Sequence, residues 1–280
     1  MTLPTLLQKN TLISHMGESM DYIENNSSLT IIMNWFDRKV NILPQSMSDR
    51  AIVLKSGTGS AKSTAIAPTL FARYNTINKN NKKPFTKVSN KTIVITQPRV
   101  LTAIEIPKTI ASIDAYKKMG IALYENLGYQ TKEFVRKPMK RGILFTTVGT
   151  LLQHLKNMSD EQFIKRYGII LIDEVHDRTL DIDLILQLLK SLVQRNLNKE
   201  CPFVIVMSAT IDTKLYADYF DTKTIFEVSG KSYGIVEHYE DYDVSNYLTR
   251  IEEIVTKITT NTTETYITKK QQYNFMFDMF

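Results

Sequence analysis

The chain has 280 residues, 43% of them hydrophobic and 23% charged, and a formal net charge of +6. These proportions are ordinary for a packed soluble protein, and the single cysteine, Cys201, excludes an intrachain disulfide. The mild positive charge suits a polyanionic partner, but a basic surface without any partner explains it equally well.

Residues 1–30 predict a short helical preface that ends in the polar stretch "ENNSSL". This N-terminus lacks the charged start and long apolar core of a signal peptide. No segment approaches the roughly 18 consecutive apolar residues of a membrane-spanning helix. We therefore expect a soluble protein in a reducing, cytoplasmic compartment, with no membrane partner and with Cys201 as a structural thiol.

Residues 31–233 alternate short β-branched runs with longer segments of helical periodicity. The predicted strands are residues 50–56, 91–97, 142–147, 167–173, 202–209 and 224–230. The predicted helices between them are residues 61–75, 99–120, 148–157 and 180–197. Near-continuous Ile, Val and Leu in the strands indicates burial on both faces. The fold class is therefore α/β, a doubly wound, mostly parallel sheet flanked by helices.

Two further segments differ in composition from this domain. Residues 75–90 are polar and lysine-rich, which predicts an exposed loop. Residues 234–280 predict a linker, a helix near 244–258 and the start or stub of a following region.

The first candidate site is "SGTGSAKST", between a predicted strand and a predicted helix. Such a turn aims backbone N–H groups and the positive end of a helix dipole at one point, which suits phosphate. Lys62 would bind the phosphates and the hydroxyl of Ser63 would bind Mg²⁺. Ala61 stands where the phosphate-loop pattern has Gly, so an ordinary strand–turn–helix remains the alternative. The candidate nucleotide-binding residues are Ser56, Gly57, Thr58, Gly59, Ser60, Ala61, Lys62, Ser63 and Thr64.

The second candidate site is the string "DEVH" at residues 173–176, directly after a buried strand. Ligands of α/β sheets lie where strands end in this way. Asp173 would hold Mg²⁺, and Glu174 would deprotonate an attacking water. His176 is a candidate for the nucleotide side of the same pocket. A third string, Ser208, Ala209 and Thr210, ends the next strand and is informative only through that position.

Taken together and in this order, the three strings resemble the motifs of superfamily 2 helicases of the DEAH or DExH group. "TQPRV" (96–100), "LGYQ" (127–130), "TTVGTLL" (146–152) and "DRTLDIDLILQLLK" (177–190) are similar to further motifs of that group. The lead-in to the phosphate loop and the "DEVH" variant resemble the poxvirus-type RNA helicases of large DNA viruses more than the spliceosomal members of the group. The resemblance covers about residues 30–240.

The resemblance implies a first RecA-like domain of a P-loop NTPase that uses ATP and Mg²⁺ to act on RNA or DNA. Glu174, Asp173, His176 and Lys62 would be catalytic, and Ser208, Ala209 and Thr210 would couple nucleotide state to nucleic-acid contacts. The implied nucleic-acid contacts are Arg99, Gln130, Thr147 and Gly149. It also implies a second RecA-like domain in a longer protein. The expected location is the host cytoplasm, and also the virion if the protein is viral.

The chain departs from the family pattern at several positions. Ala61 replaces the loop Gly, Val100 replaces the second Arg of the "PRR" motif, and Val148 replaces the Asp of the "TDG" motif. No string after residue 240 matches the arginine-finger motif of a second domain, so we expect this chain by itself to hydrolyse ATP weakly. A non-catalytic ATP-sensing scaffold and a DNA-translocating transcription factor remain the alternative functions.

Overall fold

The computed structural model describes residues 28–56, 62–74, 88–138, 141–209, 213–228 and 246–260. The chain divides into two compact units, Met1–Lys231 and Ser232–Phe280. No helix of the described residues is both long and apolar enough to cross a membrane. The predicted boundaries at residues 30 and 233 are not decided by this division, and residues 1–27 of the predicted preface lie outside the described part.

The strands of the first unit form one eight-stranded sheet in the order β4-β3-β5-β2-β6-β7-β1-β8. All neighbouring strands run parallel except β3 and β4, which pair antiparallel at one edge. The strands are β1 (Ala51–Ser56), β2 (Thr92–Gln97), β3 (Leu127–Gln130), β4 (Val135–Arg136), β5 (Ile143–Thr147), β6 (Tyr167–Ile172), β7 (Phe203–Ser208) and β8 (Ile225–Val228).

Helices follow the strands along the chain and cover the sheet. Those of the first unit are α1 (Ser28–Lys39), α2 (Lys62–Tyr74), α3 (Val100–Ser112), α4 (Asp114–Lys118), α5 (Val148–Asn157), α6 (Asp160–Arg166), α7 (Leu180–Arg195) and α8 (Thr213–Tyr219). Short 3-10 turns lie at Met47–Asp49 and Val175–Asp177. In the second unit the structure describes α9 (Tyr247–Thr260), which lies within the segment predicted as linker and helix.

The core has two layers, one on each face of the sheet. Ile52 and Leu54 of β1 pack with residues of α1, α2 and α4, whereas Ala51 and Val53 pack with residues of α5, α7 and α8. This alternation follows from the two-residue side-chain period of a strand. Both layers are apolar, which is why the strands read as continuous hydrophobic runs. The predicted doubly wound α/β class is confirmed.

Several elements differ from the sequence-based expectation. β3 and β4 were not predicted as strands, because they are only four and two residues long, which is too short to show a strand pattern. The helix predicted over 99–120 breaks at Ile113, whose φ of −80° and ψ of 119° are extended. Helix α1 crosses residue 30, where the preface was predicted to end, and buries Ile32 and Phe36 in the core.

The interpretation of Cys201 as a structural thiol agrees with its surroundings. The side chain is buried, its Sγ donates to the carbonyl of Asn196 at 3.0 Å, and burial raises the pKa of the thiol. The Cys201 carbonyl accepts a hydrogen bond at 3.1 Å from the fully buried Arg50.

His154 of α5 is held neutral by its environment. Its Nδ1 lies 2.8 Å from the hydroxyl of Tyr167, and the two rings stack with centroids 6.1 Å apart. Burial, with smaller effects from the charges of Arg166 and Lys137, lowers the pKa of His154 to about 4 from its usual 6.5. The unfolded chain therefore binds a proton between these pH values that the folded chain does not.

We expect the free energy of unfolding to fall as pH decreases from 6.5 towards 4, and His154→Gln to flatten that part of the profile. Urea unfolding at several pH values in this window measures the effect. The carboxylates are the same in both proteins, so the difference between wild type and variant isolates His154. Identical slopes in the two proteins would contradict this assignment.

Candidate functional site

The candidate residues at strand ends lie along the carboxyl edge of the sheet. Ser56 is the last residue of β1, Ser208 is the last residue of β7, and Asp173 follows β6 directly. These strands are neighbours in the order β6-β7-β1, and Lys55 is in register with Ser208. All three side chains are buried at this edge of the sheet. We call these three residues, Ser56, Asp173 and Ser208, the polar floor.

Helix α2 brings Lys62 to this floor. The Lys62 ammonium lies 2.8 Å from Glu174 Oε1 and 3.8 Å from Asp173 Oδ1, and only 7% of its side chain is exposed. Despite these short distances, no acceptor among the described residues lies in hydrogen-bonding direction from Nζ. A buried ammonium is a position at which an anion can bind, here the Glu174 carboxylate.

Asp173 is the most highly connected side chain of the site. Its Oδ2 accepts hydrogen bonds from the Ser63 hydroxyl and, at 2.9 Å, from the Gln97 amide. Its Oδ1 accepts from the backbone N–H of Glu174 at 3.0 Å, and its own N–H donates to Thr96 Oγ1 at 3.2 Å. Burial raises the pKa of Asp173, and the hydrogen bond from Ser63 is the largest opposing effect.

Glu174 is presented to the site by an unusual backbone. Its φ of 52° and ψ of 43° are left-handed, a conformation that non-glycine residues seldom adopt. The turn Val175–Asp177 follows, and the hydroxyl of Tyr216 fixes it by donating to the Val175 carbonyl at 2.8 Å. The His176 Nδ1 lies 3.3 Å from Glu174 Oε2, also without hydrogen-bond geometry. The Glu174 carboxylate thus lies between the Lys62 ammonium and the His176 ring.

The donor set fits a nucleotide with Mg²⁺. A hydroxyl and a carboxylate, from Ser63 and Asp173, are adjacent oxygen ligands of the kind that Mg²⁺ takes beside phosphate oxygens. No cluster of three or more His, Cys, Asp or Glu side chains suited to a metal occurs in the described residues. Since Mg²⁺ usually needs only one or two carboxylates together with phosphates, this set is sufficient.

The candidate nucleic-acid residues occupy the same edge at neighbouring strands. Arg99 follows β2 and is exposed, Gln130 ends β3, and Thr147 ends β5. Because β3, β5 and β2 are adjacent, these residues form a row beside the Lys62 site. Gly149 lies in the first turn of α5, where an added Cβ would meet only Asp181 Oδ2 at an ordinary 3.5 Å.

Some predicted residues cannot be placed. Gly57, Thr58, Gly59, Ser60, Ala61 and Thr210 lie outside the described residues. Thr64 is placed in α2, where its carbonyl accepts a hydrogen bond at 2.9 Å from Tyr116 of α4. Ala209 directly follows Ser208 at the end of β7.

Thr96 and Gln97 are site residues that were not predicted from the sequence. Both were quoted only as part of the "TQPRV" string, yet both contact Asp173. Their position in the sequence could have indicated this role, because both follow the apolar run 93–95 at the end of the strand. Their relevance depends on β2 being the neighbour of β6, which the sequence alone did not establish.

Comparisons with known proteins agree with this geometry. The DEAD/DEAH box helicase family model matches residues 39–218. A putative RNA helicase, B962L, of African swine fever virus is 36% identical over 257 residues, covering 88% of this chain and 26% of the viral protein. The ATP-dependent RNA helicase DHX30 of Homo sapiens is 31% identical over 189 residues, covering 67% of this chain and 14% of that protein. The chain therefore spans about a quarter of the length of the viral relatives that it matches.

We expect Gln97→Leu to destabilise the fold by about 1.5–3 kcal/mol, because it removes a buried hydrogen bond to a carboxylate without creating a large cavity. Chemical denaturation measures the change. Gln187→Leu, on the exposed face of α7, is the matched control and should change stability by less than about 0.5 kcal/mol. Equal effects of the two substitutions would show that the Gln97–Asp173 contact does not contribute.

Proposed function

The chain belongs to the DEAD/DEAH box helicase family, and from this premise we propose that it forms the ATP-binding domain of an ATP-dependent RNA helicase. The observation that carries the proposal is the buried Lys62 ammonium beside the Ser63–Asp173 pair and Glu174. RNA is favoured over DNA because the relatives named above are described as RNA helicases.

In this proposal Lys62 binds the terminal phosphates of ATP. The ammonium contacts Glu174 at 2.8 Å in this structure, and phosphate oxygens would replace that carboxylate as its acceptors. Ser63 and Asp173 would hold Mg²⁺, which neutralises charge on the phosphates when it is bound. The hydrogen bonds from Gln97 and Ser63 keep the Asp173 carboxylate oriented towards that position.

Glu174 is the proposed general base. A phosphate that takes over the contact with Lys62 would leave the Glu174 carboxylate able to accept a proton from an attacking water. The left-handed backbone holds this carboxylate at the sheet edge, where 27% of the side chain remains accessible. His176, 3.3 Å from the other carboxylate oxygen, would help to hold its orientation.

RNA would cross the row formed by Arg99, Gln130, Thr147 and Gly149. Ser208, Ala209 and Thr210 would transmit changes at the nucleotide to this row, because β7 lies between β1 and β6 at the same edge. Hydrogen bonds from backbone N–H groups and one Arg suit phosphate contacts without base selection. A second RecA-like domain would complete the ATP site in a longer protein and would supply the arginines that accelerate hydrolysis.

The proposal is tested by calorimetric titration of the chain with ADP and Mg²⁺. Lys62→Ala should weaken ADP binding about 10- to 100-fold, because it removes charged hydrogen-bond donors from the phosphates. Glu174→Gln is the comparison variant. It should leave ADP affinity unchanged or raise it, because it removes only the carboxylate that phosphate replaces at Lys62, and it should remove RNA-stimulated ATP hydrolysis in a longer protein. Unchanged ADP affinity in Lys62→Ala would contradict the assignment of Lys62 to the phosphates. If the wild type does not bind ADP even at millimolar concentration, a non-catalytic scaffold becomes the favoured function.

Gly149→Ala separates nucleic-acid contact from folding. Since the added methyl meets only Asp181 Oδ2 at 3.5 Å, the melting temperature should be unchanged or slightly raised. If RNA approaches the backbone at Gly149, affinity for single-stranded RNA should fall severalfold, as measured by fluorescence anisotropy. Gln153→Ala, on the exposed side of the same helix, should leave it unchanged. Equal RNA affinity in the two variants would remove Gly149 from the interface.

A further inference from the structure

A cavity of about 610 Å³ opens on the first unit away from the nucleotide site. This volume lies within the usual range of small-ligand pockets. The residues that matter for its chemistry are Thr92, Lys137, Arg141, Leu144, Lys165 and Arg166. None of these residues was singled out by the helicase motifs, although Lys137 and Arg141 belong to the basic string "VRKPMKRG".

The cavity lies at the amino edge of the sheet. Thr92 is the first residue of β2, Leu144 is the second residue of β5, and Arg166 directly precedes β6. In a parallel sheet these positions share one edge, and the residues that follow Gln97, Thr147 and Ile172 share the other. The cavity and the Lys62–Asp173 site therefore lie at opposite edges of the same strands.

The lining carries positive charge that the described residues do not neutralise. Lys137, Arg141, Lys165 and Arg166 all line the cavity, and no carboxylate does. In the described part of the chain none of these four side chains forms an ion pair, whereas Lys190 and Arg195 of α7 pair with Asp221 and Asp160. The basic end of helix α6 explains the presence of Lys165 and Arg166, because cations stabilise a helix C-terminus. It does not explain Lys137 and Arg141, which lie on another segment.

Two of the cations are held in place. Arg141 Nη1 donates to the carbonyls of Asn90 at 2.9 Å and Lys165 at 3.3 Å, which leaves Nε and Nη2 without acceptors among the described residues. The Arg166 guanidinium stacks 5.1 Å from the centroid of the Tyr167 ring. The neighbouring His154 responds to the same positive charge, since Arg166 and Lys137 both contribute to its lowered pKa. Cations that are already positioned lose little entropy when they bind an anion.

We propose that this cavity is a second anion site, which binds phosphate groups through Lys137, Arg141, Lys165 and Arg166. Phosphate fits because the four cations line one cavity and can donate charge-assisted hydrogen bonds to its oxygens. The phosphate comes either from a nucleic-acid backbone that passes the amino edge of the sheet or from a free polyphosphate. The proposal is independent of the ATP site, since it uses none of the residues at the carboxyl edge.

The test compares two double variants that remove the same charge. Lys137→Gln with Lys165→Gln changes the cavity, and Lys118→Gln with Lys223→Gln changes exposed lysines elsewhere on the unit. One probe is inorganic pyrophosphate, titrated by calorimetry without Mg²⁺ and with Lys62→Ala added to every protein. The other is a single-stranded oligouridylate of about 12 nucleotides, measured by fluorescence anisotropy at fixed salt, because such binding is salt-dependent.

The cavity variant should bind at least one probe about tenfold more weakly than the control variant, which reflects the loss of charged hydrogen bonds. Loss of pyrophosphate binding identifies a free polyphosphate, and loss of RNA affinity identifies a nucleic-acid backbone. If the two variants bind both probes equally, or pyrophosphate does not bind and RNA affinity is equal, the proposal is wrong. Because Lys62→Ala is present in the pyrophosphate titrations, failure at the ATP site and failure at this cavity remain distinguishable.

Discussion

The Asp173 carboxylate is the constraint on which the candidate site depends. A carboxylate at 1% exposure is costly unless donors surround it, and its donors come from three different elements. Ser63 belongs to α2, Gln97 belongs to β2, and the N–H of Glu174 lies in the turn after β6. Helix α2 is thereby tied to the centre of the sheet. The Lys62 ammonium completes the arrangement as a nearby positive charge, 3.8 Å from Asp173 Oδ1 and 2.8 Å from Glu174 Oε1.

The central part of the fold was predictable because burial leaves a clear pattern. Strands β1, β2, β5, β6 and β7 begin and end within a residue of their predicted positions, since each is a continuous apolar run between polar segments. Strands β3 and β4 were not predicted because their composition does not identify them. They are strands because β3 pairs with β5 and β4 pairs with β3. The break at Ile113 was missed because helical periodicity continues across it. The extended backbone at this residue depends on packing, and the Ile113 side chain is 8% exposed in the core.

Only some residues of the candidate site were predictable from the sequence. Asp173, Glu174, Lys62 and Ser63 are residue types whose chemistry is specific, and their motifs follow a recognisable order. Gln97 was missed because a glutamine that ends a strand has no distinguishing feature until its neighbouring strand is known. The lining of the basic cavity could not be predicted from the sequence for the same reason. Lys137 and Lys165 are far apart in sequence, and only the order β3-β5-β2-β6 brings their segments together.

Glu174 and Arg178 both have left-handed backbones, with φ of 52° and 48°, at the two ends of the turn Val175–Asp177. Such conformations cost on the order of 1–3 kcal/mol each for residues other than glycine. Selection for stability alone would therefore favour glycine at both positions, as it would favour a less polar floor beneath them. Glu174 cannot become glycine without losing the carboxylate. A screen that selects for thermostability and ignores activity should for this reason accept glycine at this turn, as at the other described non-glycine residues with positive φ, which are Asn90, Tyr124, Asn198 and Asp221. At Glu174 alone would such a substitution also remove the carboxylate that contacts Lys62.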